Sequence, residues 1–313
     1  LDDEDAPARM ARAGLHLLHG RLEKAWEDGQ WRRLLPAARR PPPPAAPWDG
    51  GGDGNGASEL DDTHLLLHAG PGDTLCDILM AARFVAPLAE RCAAVTLAVP
   101  PPLAPLLANL PGVARVVPVD GDPPGDTGAR YCAELGDLPR LLGIGLHSIP
   151  DAPYLAPPPG RVRRIRVPAG IRVKVGIAWE AERPGDSIPF AALLDLATVP
   201  GSLLFSLETG ATAAEARLRA DPALVTDLAP TVADFADLAG RIAEMDLVVA
   251  ADGPAAHLAA AMGKPVLLLL PFAHHPRWMR ERTDTPWYPA MELLRQPAAG
   301  EWQAPLDEAR RRI

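Results

Sequence analysis

The sequence of 313 residues lacks the features that define several protein classes. It has three cysteines, Cys76, Cys92 and Cys132, an odd number without Cys-x-x-Cys spacing. This argues against a disulfide framework or a zinc site and favours a reducing compartment. No apolar run reaches the ~18 residues of a membrane span, and the start lacks the pattern of a secretory signal. The sequence therefore predicts a cytoplasmic protein without a membrane span.

Positive charge is also scarce. Lysine occurs only at Lys24, Lys174 and Lys264, and arginine supplies the other cations. The net charge of -9 argues against a nucleic-acid partner, because binding to a phosphate backbone needs a basic face. A Walker-type loop and a Gly-x-Ser-x-Gly elbow are both missing. An NAD-linked dehydrogenase is a poor alternative, because no Gly-x-Gly-x-x-Gly follows the first strand of either predicted sheet.

Apolar residues and proline, in contrast, are plentiful. The hydrophobic share of 48% is ample for buried cores, and the length suggests about two domains. Residues 1–35 predict a helical hairpin, because apolar residues recur at helical spacing on either side of a break at Gly20. Residues 36–60 are rich in proline and glycine, a composition typical of a linker.

From residue 61 onwards, strand-sized apolar runs alternate with helical segments. This rhythm is interrupted by a proline-rich stretch at 150–168 and then resumes, with one predicted helix over residues 211–220. Alternation of this kind is typical of a parallel sheet covered by helices. The sequence thus predicts an α/β protein with two parallel-sheet domains, residues 61–160 and 161–313, and a cleft between them.

The first candidate site is Gly72-Asp73-Thr74, which lies between the first predicted strand of residues 61–160 and a long helix. Ligands of open α/β sheets gather at the carboxyl ends of strands, near helix N-termini. A carboxylate there can act as a base. The alternative, which spacing alone favours, is that Asp73 caps the helix, since Asp is among the best N-cap residues.

The second candidate site follows a buried strand that ends in Asp252. Gly253 and Pro254 then open a helix of small residues, whose positive N-terminal end would suit a pyrophosphate. The alternative is a plain packing helix, in which His257 is a core histidine with satisfied hydrogen bonds. On periodicity alone, the packing helix is favoured.

Weaker signals are open to two interpretations each. Asp120 and Asp122 resemble a carboxylate pair that holds a metal–nucleotide, yet they occur in a loop where Asp also favours turns. His274 is followed by a second histidine, but no further ligand cluster accompanies them. Trp287 and Tyr288 could stack on a base or sugar, or lock a long loop in place.

The run Leu247–Val266 resembles the donor-site signature of bacterial family-nine glycosyltransferases, the heptosyltransferase type. The likeness is closest to catalytic domains that follow tetratricopeptide repeats, and it extends from about Leu15 to Trp302. Other segments in the same order also resemble the family: Trp48–Gly50, Leu65–His68, Gly72–Leu75, Trp179, Ser187–Pro189, Ser206-Leu207, Asp234–Asp237 and Thr285–Pro289.

This resemblance implies a GT-B architecture, in which two Rossmann-like domains face each other. The first would bind the acceptor and the second a nucleotide-diphosphate sugar. It also implies an inverting hexosyl- or heptosyltransferase that needs neither a metal nor a cofactor, with Asp73 as the base that deprotonates the acceptor hydroxyl. The acceptor would be a glycan, a lipid-linked sugar or a protein. The hairpin would be a partial tetratricopeptide-like repeat that recruits the acceptor or a protein partner.

The resemblance further implies which residues bind the donor. Gly253 and Ala255 would hold the diphosphate at the helix start, with Arg183 or Lys264 as the cation. For Lys264 the alternative is a solvated lysine in a helix-to-strand turn. The remaining implied donor-site residues are Asp252, His257 and Ser206.

Several residues depart from the family pattern. Asp186 stands where relatives carry Arg, and Gly253 where they carry Thr or Ser. Leu238 replaces a usual Thr, and Pro254 lacks the backbone N–H that could meet phosphate. These departures support an alternative function, a non-catalytic repeat-plus-GT-B module that binds proteins. Asp73, Asp252, His257 and the aromatic loop are retained, which favours the enzyme.

Overall fold

The computed structural model describes residues 5–36, 41–50, 60–151, 153–183, 185–209 and 224–313. The chain forms two compact units, Leu1–Pro150 with His275–Glu281 and Asp151–His274 with Arg282–Ile313. The units divide at Pro150, whereas the sequence places the domain boundary after residue 160. The predicted helix over 211–220 lies outside the described residues. Within the described ranges, no helix is long and apolar enough to cross a membrane.

A five-stranded parallel sheet forms the centre of the first unit. Its strands are β1 (Ala46–Pro47), β2 (His64–His68), β3 (Ala94–Val99), β4 (Val113–Pro118) and β5 (Tyr131–Glu134). Their order across the sheet is β1-β5-β2-β3-β4. The middle of β2 is fully buried, as expected for a parallel strand that is covered on both faces. Strand β1 lies in the segment predicted as a linker, and the sequence pattern did not indicate β5.

Helices flank this sheet, and the first two of them form the predicted hairpin. The α-helices of the first unit span Ala6–Leu18, Leu22–Gly29, Leu75–Ala81, Val85–Ala89, Ala104–Leu107 and Leu138–Leu141. The hairpin turns at Gly20, whose φ of 69° lies in the left-handed region that glycine adopts readily. A 3-10 turn, Gln30–Leu34, follows the second helix. The likeness of this hairpin to a tetratricopeptide repeat stays a prediction.

Partly buried polar contacts hold the hairpin together and attach it to the rest of the first unit. The Asp28 carboxylate accepts hydrogen bonds from Arg12 Nε and Nη2 at 2.6 and 2.7 Å, and from Arg9 at 3.1 Å. The bonds from Arg12 hold the pKa of Asp28 down, at about 2. Trp26 Nε1 donates to the Ile144 carbonyl at 2.8 Å. The hairpin is therefore packed onto the first unit.

The second unit has a six-stranded parallel sheet. Its strands are β6 (Val173–Ala178), β7 (Ser202–Ser206), β8 (Val225–Asp227), β9 (Leu247–Ala250), β10 (Val266–Leu270) and β11 (Met291–Arg295). The order β11-β10-β9-β6-β7-β8 is the doubly wound arrangement that places a ligand crevice where the strand order reverses. Here that point lies at the carboxyl ends of β6 and β9.

The helices of the second unit span Phe190–Leu193, Phe235–Ile242, Pro254–Ala261 and Gln303–Arg312. The first has only four residues: Pro189 precedes it, and a 3-10 turn, Leu194–Thr198, follows it. Phe190 packs against Trp179 with ring centroids 4.5 Å apart. This contact belongs to the apolar core on one face of the sheet.

Candidate functional site

Three carboxylates lie at the carboxyl edge of the first sheet, next to the neighbouring strands β2 and β5. Asp73 follows β2, Glu134 is the last residue of β5, and Asp137 lies in the turn after β5. Strands β2 and β5 are neighbours although two strands separate them in the chain, so the strand order reverses at this point. Ligands of open α/β sheets bind at such a reversal. This edge is therefore the candidate ligand site of the first unit.

The Asp73 side chain faces this edge instead of capping the next helix. Asp73 Oδ2 accepts a hydrogen bond from the Gly70 N–H at 2.8 Å. Burial raises the pKa of Asp73 to about 6, although the Gly70 N–H and the charge of Arg32 act to lower it. The N-cap is Thr74, which forms a reciprocal capping box with Asp77. The interpretation of Asp73 as the cap is therefore wrong.

Arg32 from the hairpin reaches the same carboxylates. Its Nη1 donates to Asp137 Oδ1 at 2.7 Å, and its Nη2 donates to Glu134 Oε2. Arg33 also pairs with Asp137 and lies 3.5 Å from Glu134 Oε1. Sequence reasoning missed these residues, because Arg32 and Glu134 are 102 positions apart and β5 has little apolar pattern.

In the second unit, a loop lies directly on the start of the helix Pro254–Ala261. The Glu182 N–H donates to the Asp252 carbonyl at 2.9 Å. A Cβ atom on Gly253 would lie 2.4 Å from the Glu180 carbonyl oxygen, so a larger residue does not fit without a shift of backbone. Ala255, the second residue of the helix, is buried. The predicted diphosphate position is thus closely covered by residues 180–182.

His257 connects Asp252 to the aromatic loop. Its Nε2 lies 3.1 Å from Asp252 Oδ1, and its Nδ1 lies 2.9 Å from the Tyr288 hydroxyl. His257 and Tyr288 are fully buried, and Trp287 is almost so. These contacts agree with the alternative of a satisfied core histidine and with aromatic residues that lock the loop. His257 can therefore orient the Asp252 carboxylate but does not itself line an open surface.

A further carboxyl group lies at the end of β7. Glu208 Oε1 accepts hydrogen bonds from the backbone N–H groups of Trp179 and Glu180, at 2.6 and 2.7 Å. Burial raises the pKa of Glu208 to about 7. The nearby Ser206 is fully buried, and its hydroxyl has no hydrogen-bond partner among the described residues. Glu208 was not predicted, although it follows Ser206-Leu207, one of the segments that resemble the family.

Part of the chain is similar to a known protein family. Residues 189–292 match the family model for Glycosyltransferase family 9 (heptosyltransferase). This match covers 104 of the 313 residues. The matched range includes Asp252 and His257 but not Asp73.

Protein FlbA from Caulobacter vibrioides is 26% identical over 330 residues, which cover 95% of this chain and 53% of that protein. The chain thus spans about half the length of this curated relative.

Solved glycosyltransferase structures share the fold. E. coli ADP-heptose lps heptosyltransferase II is 17% identical, with a TM-score of 0.52 over 80% of this chain and 96% of that one. E. coli heptosyltransferase WaaC with ADP is 12% identical, with a TM-score of 0.55 over 80% and 98%. A glycosyl transferase of family 9 from Veillonella parvula DSM 2008 is 10% identical, with a TM-score of 0.54 over 82% and 97%. The α/β fold with two parallel sheets therefore matches GT-B heptosyltransferase structures.

The two cations predicted for the family-nine donor site have other contacts. Arg183 is half exposed, and its Nη1 lies 3.5 Å from Asp186 Oδ2. Lys264 Nζ donates to the carbonyls of Ala243 and Met245 at 2.6 and 2.9 Å. Lys264 also precedes β10 and so lies at the amino edge of the sheet, whereas Asp252 lies at the carboxyl edge. This geometry contradicts a diphosphate contact for Lys264.

Replacement of Lys264 by Met is expected to lower stability by about 1–3 kcal/mol, because two partly buried carbonyls lose their charged donor. Nucleotide affinity should not change. Thermal melting and a nucleotide titration measure the two effects, with Lys24→Met as the exposed control. A tenfold loss of nucleotide affinity at unchanged melting temperature would restore Lys264 to the donor site.

Proposed function

We propose that this protein transfers a hexosyl or heptosyl group from a nucleotide-diphosphate sugar to an acceptor hydroxyl. The reaction proceeds with inversion and without a metal ion. The observation that carries this proposal is Asp73, a half-buried carboxyl at the strand-order reversal of the first sheet with a pKa raised to about 6. A group with this pKa is largely ionised at neutral pH and yet basic enough to accept a proton during the reaction.

In the proposed reaction, Asp73 takes the proton of the acceptor hydroxyl as its oxygen attacks the anomeric carbon of the donor sugar. The bond from that carbon to the diphosphate oxygen breaks, and the nucleoside diphosphate leaves with the electron pair. Attack from the face opposite the leaving group inverts the anomeric configuration. Asp73 then carries the proton and returns it to water.

The start of the helix Pro254–Ala261 is proposed to stabilise the departing diphosphate. Its N-terminal dipole favours negative charge, and Gly253 and Ala255 place backbone there instead of long side chains. His257 holds Asp252 beside this start. The family match and the WaaC structure, described as an ADP complex, support a nucleotide-diphosphate donor.

A glycan is the proposed acceptor, in keeping with the family match. A lipid-linked sugar and a protein hydroxyl fit the same chemistry, because the proposed base acts on a hydroxyl group of any carrier. The N-terminal hairpin is proposed as the contact for a protein partner. A cytoplasmic location is proposed from the cysteine content of the sequence.

One observation favours a second candidate function, a non-catalytic interaction module. The loop at Glu180–Glu182 is bonded to the Asp252 carbonyl and lies within contact distance of Gly253. A diphosphate at this helix start would have to displace that loop. It would also meet Asp186, which pairs with Arg183.

A panel of nucleotides and nucleotide-sugars separates the two functions. For a transferase, one nucleoside diphosphate should raise the melting temperature, because a ligand at 100 times its Kd stabilises a protein by about 2.7 kcal/mol. The matching nucleotide-sugar should be hydrolysed slowly without an acceptor, as measured by release of the nucleoside diphosphate. If no nucleotide at millimolar concentration changes the melting curve, the enzyme proposal fails and the interaction module stands.

A further inference from the structure

The N-terminal hairpin places a charged group inside the Asp73 site. Arg32 belongs to the 3-10 turn Gln30–Leu34, at the end of the hairpin. Its side chain is only 18% exposed, and the Asp137 side chain with which it pairs is 2% exposed. Ion pairs this buried are costly to break, because the remaining partner keeps its charge without compensation. The contact is thus a fixed part of the first unit.

Two glycines allow the side chains of Arg32, Asp73 and Glu134 to approach each other closely. A Cβ atom on Gly136 would lie 3.0 Å from Asp73 Oδ1 and 3.5 Å from Arg32 Nη2. A Cβ atom on Gly70 would lie 2.9 Å from Glu134 Oε2 and 3.2 Å from Asp73 Oδ2. Because both positions lack a side chain, the two carboxylates and the guanidinium pack closely around these glycines.

Negative charge predominates around Asp73. The charged groups that act on the Asp73 carboxyl are Asp77, Glu134 and Arg32. Asp77 itself pairs with Arg277 at 2.9 Å, and Arg33 pairs with Glu134 and Asp137. Burial lowers the pKa of His68, which favours its neutral form. Carboxylates that crowd one site disfavour each other's ionisation, whereas a nearby cation favours it. Arg32 therefore opposes the effect of Glu134 on Asp73 and at the same time fixes the Glu134 side chain.

We propose that Arg32 is a positioning residue of the Asp73 site: the hairpin inserts its guanidinium between Glu134 and Asp137 and so holds the carboxylates around the base. The hairpin is then part of the catalytic unit, in addition to any role in recruitment. This inference rests on the proposed function of Asp73 as the base.

Arg33 provides a matched control. It pairs with the same two carboxylates, but its side chain is 44% exposed. The charge of Arg32 acts on the Asp73 carboxyl, and Arg33 is not among the main influences on that group. Arg32→Gln and Arg33→Gln remove the same charge from adjacent positions, so a difference between them reports on the position of Arg32.

The ionisation of Asp73 can be followed in the full chain by NMR of carboxyl-labelled aspartate, with Asp73→Asn to assign the signal. Arg32→Gln should raise the titration midpoint of Asp73 by roughly one pH unit. Arg32→Lys should restore most of the wild-type midpoint, and Arg33→Gln should leave it nearly unchanged. Glu134→Gln should lower the midpoint, because it removes a neighbouring negative charge.

Kinetics provide the second measurement. Once a donor is identified, kcat can be measured against pH. The pH at which kcat falls on the acid side should be higher in Arg32→Gln, by the same amount as the titration midpoint of Asp73. An unchanged midpoint in Arg32→Gln would overturn the inference even if the enzyme is active. If Arg32→Gln does not fold, Glu134→Gln provides the test. A titration midpoint of Asp73 that does not fall in Glu134→Gln would then overturn the inference. If the midpoint of Asp73 shifts in Arg32→Gln but the wild-type protein shows no turnover, the proposed function is contradicted and the positioning role of Arg32 is not.

Discussion

Asp73→Asn is expected to reduce sugar transfer by about 10²- to 10⁴-fold, the usual contribution of a positioned general base. The amide cannot accept the proton of the acceptor hydroxyl. It has nearly the same shape as the carboxyl, and its oxygen can still accept the Gly70 N–H that now bonds to Asp73 at 2.8 Å. Nucleotide affinity should be unchanged, because Asp73 belongs to the first unit and the proposed diphosphate contacts belong to the second.

The pH dependence follows from the raised pKa of Asp73. Turnover should fall as the pH drops below about 6, because protonated Asp73 cannot act as a base. The effect on stability has the opposite sign. A carboxyl whose pKa is raised by folding favours the folded state below its ordinary pKa, and this contribution is lost as the pH rises through about 6. Asp73→Asn should therefore be at least as stable as the wild type at pH 8.

Initial rates between pH 4.5 and 9 and melting curves at both ends of that range measure these effects. Asp195→Asn, which changes an exposed aspartate, is the control for the substitution itself. A variant at Asp73 that keeps more than a tenth of the wild-type rate would exclude this residue as the base. A low rate combined with a lower melting temperature at pH 8 would indicate a structural role instead.

Strands of continuous apolar residues could be predicted from the sequence. Asp73 and Asp252 follow the strands β2 and β9, as expected. The partners of Asp73 could not be predicted. Arg32 meets Glu134 across 102 residues, and local periodicity carries no information about such a pair. β5 has only four residues, two of them polar or aromatic at its ends, so its pattern is weak.

The position of Lys264, in contrast, can be predicted from the order of helices and strands along the chain. A residue between a helix and the next parallel strand lies at the amino edge of the sheet, whereas the ligand edge is the carboxyl edge. The Gly-Lys-Pro string resembles part of a donor-site signature, but such a resemblance does not determine at which edge of the sheet the lysine lies. Lys264 Nζ instead donates hydrogen bonds to the carbonyls of Ala243 and Met245.

Gly253→Ala is expected to destabilise the second unit by about 3 kcal/mol, the upper part of the range for overpacked sites. The backbone at Gly253 has a φ of −142°, which any residue can adopt, so conformational strain does not contribute. The cost arises because the new methyl group would lie 2.4 Å from the Glu180 carbonyl oxygen. That oxygen belongs to the backbone and cannot rotate away. Either the loop or the helix start must move.

Gly29→Ala is the matched control for Gly253→Ala, because nothing lies within 4 Å of its added methyl group. Gly29 also ends a helix, where alanine is the better helix former, so this variant should be as stable as the wild type or slightly more so. An unchanged melting temperature in Gly253→Ala would show that the Glu180 loop yields easily. A diphosphate could then displace the same loop at little cost, and the observation that favours the non-catalytic module would lose its force. A large loss of stability would show instead that the loop is fixed on the helix start, which makes donor binding there correspondingly expensive.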